Sequence, residues 1–381
     1  MRWALFALLA ACGFPHGSLG ADAKVTADAA RADPFGDSAP VAPWLPSYGF
    51  RKIVRVTPHG TATSLDSFPI AIRIAGDTDL AAHALVDGTD IVVTAEDGTT
   101  IRSSELAYYD PATGDAEVWV SIPTLVLDGT TWLHLYYGGA AASSTAPKVW
   151  SPGYKGVWHM SGGPLADTEA DSTTNAHPIT QAVPSSVAGS GVGAGDRGRA
   201  RAFDGVDDTF SAPDPLDGSL DVGTTDFSVS MWLDNVASTG LYDPPFYKGG
   251  TNPGNPGYSV FAGSSGWSGK IMDASGQFIN PPFCTTPIYG AWTHIVMSIQ
   301  RSPSNQSTSY LDAVQVLQFG FNLQNFNDNA GLVIGGIVTY FHGSIDEIRV
   351  YDRTLSADWV TTEYANLAAP DFITVGTQQT P

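Results

Sequence analysis

Short runs of alternating apolar and polar residues, separated by turns rich in Gly, Asp and Pro, recur along most of the 381-residue chain. The run FSVSMWL is the clearest case: it sets Phe227, Val229, Met231 and Leu233 on one face, the period of a strand with one buried side. Similar runs occur earlier in FPIAIRI, DIVVTAEDGTTI, AEVWVSI and TTWLHLYYGG, and later in GVWHM, RARAFDG, GYSVFAG, WTHIVMSIQRS, TSYLDAVQV and GSIDEIRVYD. Their spacing is that of antiparallel sandwiches. Only DLAAHALVDG and SADWVTTEYANL carry helical spacing, and no solenoid-like repeat is visible. The acids agree with this reading: six are Glu and 32 are Asp, the carboxylate that favours turns over helix interiors, beside 41 Gly and 26 Pro. The chain reads as all-β, with two β-sandwich domains.

With 18 basic against 38 acidic residues the formal charge is −20, which argues against polyanions such as nucleic acid as partners. The opening MRWALFALLAACG has a basic Arg2 and an apolar run too short to span a bilayer but suited to a signal peptide. Leu9-Ala10-Ala11-Cys12 is similar to a bacterial lipobox, so residues 1–11 read as a lipoprotein signal peptide and Cys12 as the lipidated residue. The alternative is an ordinary signal peptide cut after Gly20. Both readings export the chain. The lipid-anchored one places it at the outer membrane or cell surface, touching the membrane only through its N-terminus. Residues 12–43, rich in Ala, Asp, Gly and Pro, form a flexible tether; 44–150 a small sandwich; 151–376 a larger one; 377–381 a tail. Cys12 and Cys284 are the only cysteines, so an intrachain disulfide is not expected to hold the fold, and Cys284 reads as a small buried hydrophobe.

The first region, through Trp44, Tyr48, Arg51, Lys52, Phe68-Pro69, Asp87-Gly88-Thr89-Asp90, Asp97-Gly98, Trp119-Val120, Ile122-Pro123 and Tyr136-Tyr137-Gly138, resembles a domain of unknown function, DUF2341, of bacterial and archaeal surface proteins. It departs at SSELAYYD, where the family more often has a second Glu after Glu105. The second region, through GVWHM, ADSTTNAHPI, GRARAFDGVDD, TDFSVSMWL, GAWTHIVMSI, YLDAVQV and GSIDEIRVYDRTLS, resembles the laminin-G-like branch of the concanavalin A-like jelly rolls. Such folds host lectins, glycanases and adhesion modules alike, so function must be read from the site.

In HGSIDEIRVYDRTLS, a regular strand puts Asp346 on the side of Ile348 and Val350. A carboxylate there must be hydrogen-bonded, paired or metal-bound. The resemblance implies Ca²⁺ at a rim, with Asp171 and Asn175 of ADSTTNA and Asp346 as ligands. The competing reading pairs Asp346 with Arg199 or Arg201, or with backbone amides. The loop's usual glycines are replaced by Thr174 and Ala176, and Asp204, Asp207 and Asp208 read as a hairpin turn. For a ligand, the stretch GLYDPPFYKGGTNPGNPGYS reads as a long loop exposing Tyr242, Phe246 and Tyr247 beside Asn252 and Asn255, with Trp267 in a similar setting. Aromatic faces with amide donors suit carbohydrate. The bland alternative packs these aromatics beneath their own loop.

No catalytic constellation is present: Glu169-Ala170-Asp171 lacks the second acid of a glycanase strand, and no G-x-S-x-G or H-E-x-x-H occurs. His59, His134, His159, His294 and His342 show no metal-ligand spacing. GAGDRG precedes a strand rather than the helix a dinucleotide site needs. The sequence thus predicts an exported, non-catalytic binding protein for a glycan or another envelope or extracellular component. A purely structural envelope role and a glycan hydrolase are the rivals.

Overall fold

The computed structural model describes residues 34–35, 39–143, 145–162, 167–181, 191–192, 199–238, 240, 242–249, 255–301, 305–327 and 329–381. Cys12 and Asn252 lie outside the described residues. The fold is all-β, as the alternation predicts, with antiparallel pairing throughout the described sheets.

The first sandwich sets a four-stranded sheet, ordered Ile373–Gln379, Phe50–Val56, Thr131–Tyr137, Val92–Thr94, on a three-stranded one, ordered Ser64–Ile74, Asp115–Val126, Ser104–Asp110. Val54, Phe68, Ile70, Ile72, Val118, Val120, Leu133 and Leu135 fill the space between them. Its closing strand comes from the far end of the chain: Val54 pairs with Val375 and Val56 with Ile373. The helix before it, Ala357–Ala368, is N-capped by Ser356 and packs Trp359 on Phe68 at 4.8 Å between ring centroids. Asn366 Oδ1 of the same helix accepts the Ala71 amide at 3.1 Å. Residues 357–379 are therefore built into the first sandwich, and the predicted boundary with a tail from 377 is corrected.

The larger sandwich has a sheet ordered Gly191–Val192, Arg199–Asp204, His342–Tyr351, Phe227–Ala237, Trp292–Ile299, Ser307–Leu311, Val314–Phe319, with Tyr154–Trp158 also paired to His342–Tyr351. It faces a second sheet ordered Phe278–Ile279, Gly266–Met272, Gly257–Gly263, Phe246–Gly249, Leu332–Ile334, Phe210–Ala212, Ile179–Gln181, Thr168–Glu169. Phe227, Val229, Met231 and Leu233 all point into this core, as their spacing predicts, and Cys284 is buried there.

The strand His342–Tyr351 breaks the expected alternation. Ser230 pairs with Arg349 but Trp232 with Asp346, so Glu347 and Ile348 together oppose Met231. This is a β-bulge, and Glu347 takes the left-handed φ of 50° at it. The extra residue resets the faces. Ile345, Ile348 and Val350 enter the core, while Asp346, Glu347, Arg349 and Tyr351 face out. The predicted placement of Asp346 with Ile348 and Val350 is thus overturned.

Candidate functional site

The outward face of that bulged strand is covered by the first sandwich, and a layer of buried charge fills the junction. Asp346 lies 3.7 Å from Arg73 Nη2, and Arg73 Nε donates to Glu117 at 2.8 Å. His159 bridges the two bodies, Nδ1 at 2.8 Å from Glu347 and Nε2 at 3.4 Å from Glu105, with its ring stacked on Trp119. Arg349 donates to Glu347 at 2.7 Å and to Glu363 of the C-terminal helix at 3.0 Å, with its guanidinium over the rings of Trp119 and Trp150. Burial pulls the His159 pKa down, but Glu347 and Glu105 more than offset it and hold the imidazole charged. Burial raises the Glu347 and Glu363 carboxyls. For Glu347 His159 and then Arg349, and for Glu363 chiefly Arg349, outweigh it and set each at about 2. Asp346 goes the other way: burial, then the Glu347 charge, push it well above the usual carboxylate range against the pull of Arg73.

Glu117, His159 and Glu347 bring ligand atoms within 4.8 Å of one another, the spacing of a metal site. Their donor set does not fit one. Arg73 and Trp119 donate to the two Glu117 oxygens, and His159 and Arg349 to the two Glu347 oxygens. A divalent cation would have to displace two guanidinium groups. The layer is a charge network that joins the two sandwiches.

The expected calcium ligands do not converge either. Asp171 accepts the Val157, Thr173 and His177 amides and the Thr173 hydroxyl, each at 3.0 Å. Asn175 Nδ2 donates to the Lys155 carbonyl at 2.7 Å. These two fasten their loop to Tyr154–Trp158, and Ala176 takes the left-handed φ of 52° that a glycine was expected to supply. Asp346, across the bulge, meets Arg73. Arg201 pairs with Glu169 and Arg199 with Tyr108, so neither is the partner of Asp346 that the sequence suggested.

The aromatic candidates separate in the same way. The presumed loop is partly strand: Phe246 opens Phe246–Gly249 and points into the core, fully buried. Tyr247 faces the other side of that sheet, between Ser259 and Val333, and is also buried. Trp267 belongs to Gly266–Met272 and is 0% exposed in the core. For these three the loop reading is corrected. Asn255 is exposed just ahead of Gly257–Gly263. Tyr242 alone remains an outward aromatic, 54% exposed.

Tyr242 stands at the mouth of a cleft of about 520 Å³, within the size range of small-molecule sites. Alternation builds its floor. In Gly257–Gly263 and Gly266–Met272, Tyr258, Val260, Trp267 and Ile271 enter the core, which turns Phe261 and Lys270 outward. Tyr242 and Pro244 form one wall, Ile337, Val338 and Thr339 another, and Phe278 and Asn280 of the following hairpin a third. Tyr242 meets Phe261 edge-on at 5.8 Å, and the Thr339 hydroxyl donates to the Tyr242 carbonyl, fixing two walls together. Phe278 is 55% exposed and Val338 88%, so apolar surface is offered to solvent around the opening. Lys270 Nζ lies 5.1 Å from the Phe278 ring centroid. Lys270, Phe278, Asn280, Val338 and Thr339 were not singled out from sequence. The available signal was Phe278 directly after the turn DASGQ, a place where a large apolar residue has no core to enter.

Residues 204–361 match the family model of the concanavalin A-like lectin/glucanases superfamily, and residues 87–149 that of the domain of unknown function DUF2341. The chain carries a DUF2341 domain followed by a concanavalin A-like domain. The cleft lies wholly within the concanavalin A-like match. Among solved structures the chain is similar to the binding domain of Paraclostridial Mosquitocidal Protein 1, with a TM-score of 0.45 and 14% identity over 56% of this chain and 52% of that one. It is also similar to domain 4 of AbnA, a GH43 extracellular arabinanase from Geobacillus stearothermophilus, solved in complex with arabinotriose, with a TM-score of 0.39 and 20% identity over 56% and 98%. A third is the botulinum neurotoxin serotype G binding domain, with a TM-score of 0.42 and 15% identity over 55% and 50%. The match spans about half the length of the two toxin domains. Among curated proteins no sequence matches the chain.

Proposed function

We propose that this is an exported, non-catalytic carbohydrate-binding protein whose concanavalin A-like domain takes a glycan into the cleft between Tyr242 and Phe278. The observation that carries the reading is two exposed aromatic rings flanking a cleft that also offers an amide at Asn280 and an ammonium at Lys270. A sugar needs this combination: apolar ring faces that stack, and directed donors for its hydroxyls. Membership of the cleft in the concanavalin A-like match supports it. Among the described lining residues Lys270 is the charged one, so that lining offers no pair of carboxyls of the kind glycoside hydrolysis uses. That favours binding over turnover. Export rests on the N-terminal sequence, with Cys12 as the anchor. The first sandwich, locked to the second through the charge network, then acts as a rigid stand for it.

A glycan array probed with wild type, Tyr242→Ala and Phe278→Ala tests the assignment. Both variants are expected to lose about five- to thirtyfold in apparent affinity, since a stacking aromatic contributes about 1–2 kcal/mol. Tyr289→Ala, at an exposed ring outside the cleft, is the control and should bind normally. Undiminished binding by both cleft variants refutes the site. For the anchor, incorporation of an alkynyl fatty acid into the wild-type protein and its loss in Cys12→Ser is the expected outcome.

A further inference from the structure

The lining of the cleft narrows the class of sugar it takes. Tyr242 and Phe278 supply aromatic faces, but Pro244, Ile337 and Val338 add an aliphatic surface that ring stacking does not need. Val338 stands 88% exposed, so this surface is left to water in the free protein. A plain polyhydroxy ring gains little from it, because hydroxyls turned to hydrocarbon give up water and find no partner. A methyl group on the ligand, covered by the same side chains, is instead drawn out of water with a gain.

Asn280 fixes where the polar end of such a group sits. Phe278 and Asn280 both line the cleft while Ile279 between them packs against the core, which places the ring and the carboxamide on one side, about 7 Å apart at extended spacing. A pyranose resting on Phe278 therefore brings a ring substituent, rather than a ring atom, to Asn280. The Thr339 hydroxyl is committed to the Tyr242 carbonyl and Lys270 is held beside the Phe278 ring, so the directed contact falls to the exposed Asn280. Its carboxamide offers a carbonyl acceptor and two N–H donors. A secondary amide on the ligand, with its own N–H and carbonyl, answers both kinds of group.

We propose that the cleft recognises an N-acetylated amino sugar, its ring on Tyr242 and Phe278, its acetamido group hydrogen-bonded to the Asn280 carboxamide and its methyl group covered by Ile337 and Val338. This deepens the carbohydrate reading and rests on it. The class follows from an amide beside an aliphatic surface. A hydroxyl in the same place leaves the aliphatic surface uncovered, a free amine does the same, and an O-acetyl ester brings the methyl group without the N–H.

The test uses oligosaccharides of N-acetylglucosamine and of N-acetylgalactosamine, each beside its counterpart built from glucose or galactose, titrated into the full chain by calorimetry. Wild type is expected to bind at least one N-acetylated member about tenfold more tightly than its hydroxyl counterpart, the combined worth of one buried methyl group and one neutral hydrogen bond. Asn280→Ala and Val338→Ser change exposed side chains that the core does not use. Each is expected to shrink the preference while leaving the binding of the hydroxyl sugars unchanged. Equal binding of acetamido and hydroxyl sugars by wild type overturns the N-acetyl class while leaving the carbohydrate reading intact. Binding of no member of either set overturns both. A preference undiminished in either variant overturns the role given to that residue.

Discussion

Glu363 is the side chain through which the C-terminal helix grips the larger sandwich, and Glu363→Gln measures how tightly. Its carboxylate accepts from Ser230 Oγ at 2.6 Å, Arg349 Nη1 at 3.0 Å and Tyr351 Oη at 3.0 Å. The other faces of the helix hold the first sandwich, through Trp359 on Phe68, Asn366 on Ala71 and Thr362 on the His59 carbonyl. The glutamine can keep an acceptor at the Oε1 position that all three share but removes the charge, and it leaves Arg349 with Glu347 as its ionic partner. Two routes give the size of the effect. Burial raises the Glu363 pKa and Arg349 more than reverses this, taking it from 4.5 to about 2; at 1.36 kcal/mol per unit that is about 3 kcal/mol. Breaking a buried ion pair by removing one partner costs about 3–5 kcal/mol. Because the folded pKa lies below the unfolded one, this stability is fully present above pH 4.5 and is lost as pH falls towards 2. Urea unfolding of both proteins at pH 7 should differ by about 3 kcal/mol, and the gap should close between pH 4.5 and 2. Amide exchange in Ala357–Ala368 should quicken in the variant. A difference below about 1 kcal/mol at pH 7, or one independent of pH, refutes the reasoning.

Asp346→Asn should act with the opposite sign. The folded pKa is raised, by burial first and by Glu347 second, so the protonated carboxyl stabilises the fold below the unfolded value of 3.8 and that stability is lost as pH rises through the folded pKa. The asparagine is expected to match wild type near pH 3.5 and to exceed it increasingly as pH rises through the folded pKa, read from urea midpoints. Trp267→Ala should destabilise by about 3–5 kcal/mol, because the indole is enclosed in the core; a near-neutral result would restore the loop placement that the sequence suggested.

The architecture was legible because strands with one buried face announce themselves by period. FSVSMWL behaves as written, and SADWVTTEYANL is the helix Ala357–Ala368. What escaped was the relation between the two sandwiches. Arg349 and Tyr351 lie on the outer face of a jelly-roll sheet, where alternation predicts contact with water; they are instead buried against Trp150 and the first sandwich. Only the fold brings residues 73, 117 and 346 together. The ligand stretch failed for a local reason. Pro244-Pro245 and the glycines after Lys248 mark turns so strongly that they mask the four-residue strand between them, whose Phe246 points into the core.

The bulge was nevertheless written in the sequence. In GSIDEIRVYD the aliphatics Ile345, Ile348 and Val350 are spaced three and then two apart, and no regular strand can place all three inside. Two remedies exist. Ile345 turns outward with its odd neighbours, burying Asp346 in hydrocarbon, or one extra residue is looped out between Ile345 and Ile348. The first buries a carboxylate without a partner and exposes an isoleucine; the second strains one residue, at about 1–3 kcal/mol for the left-handed φ of Glu347. The second is the smaller sum, and it turns four polar or charged side chains onto the face that the first sandwich covers. An irregular interval between aliphatics in a strand beside adjacent acids is therefore a readable sign that its outer face is an interface, and the carboxylates there belong to the joint between domains rather than to a cation.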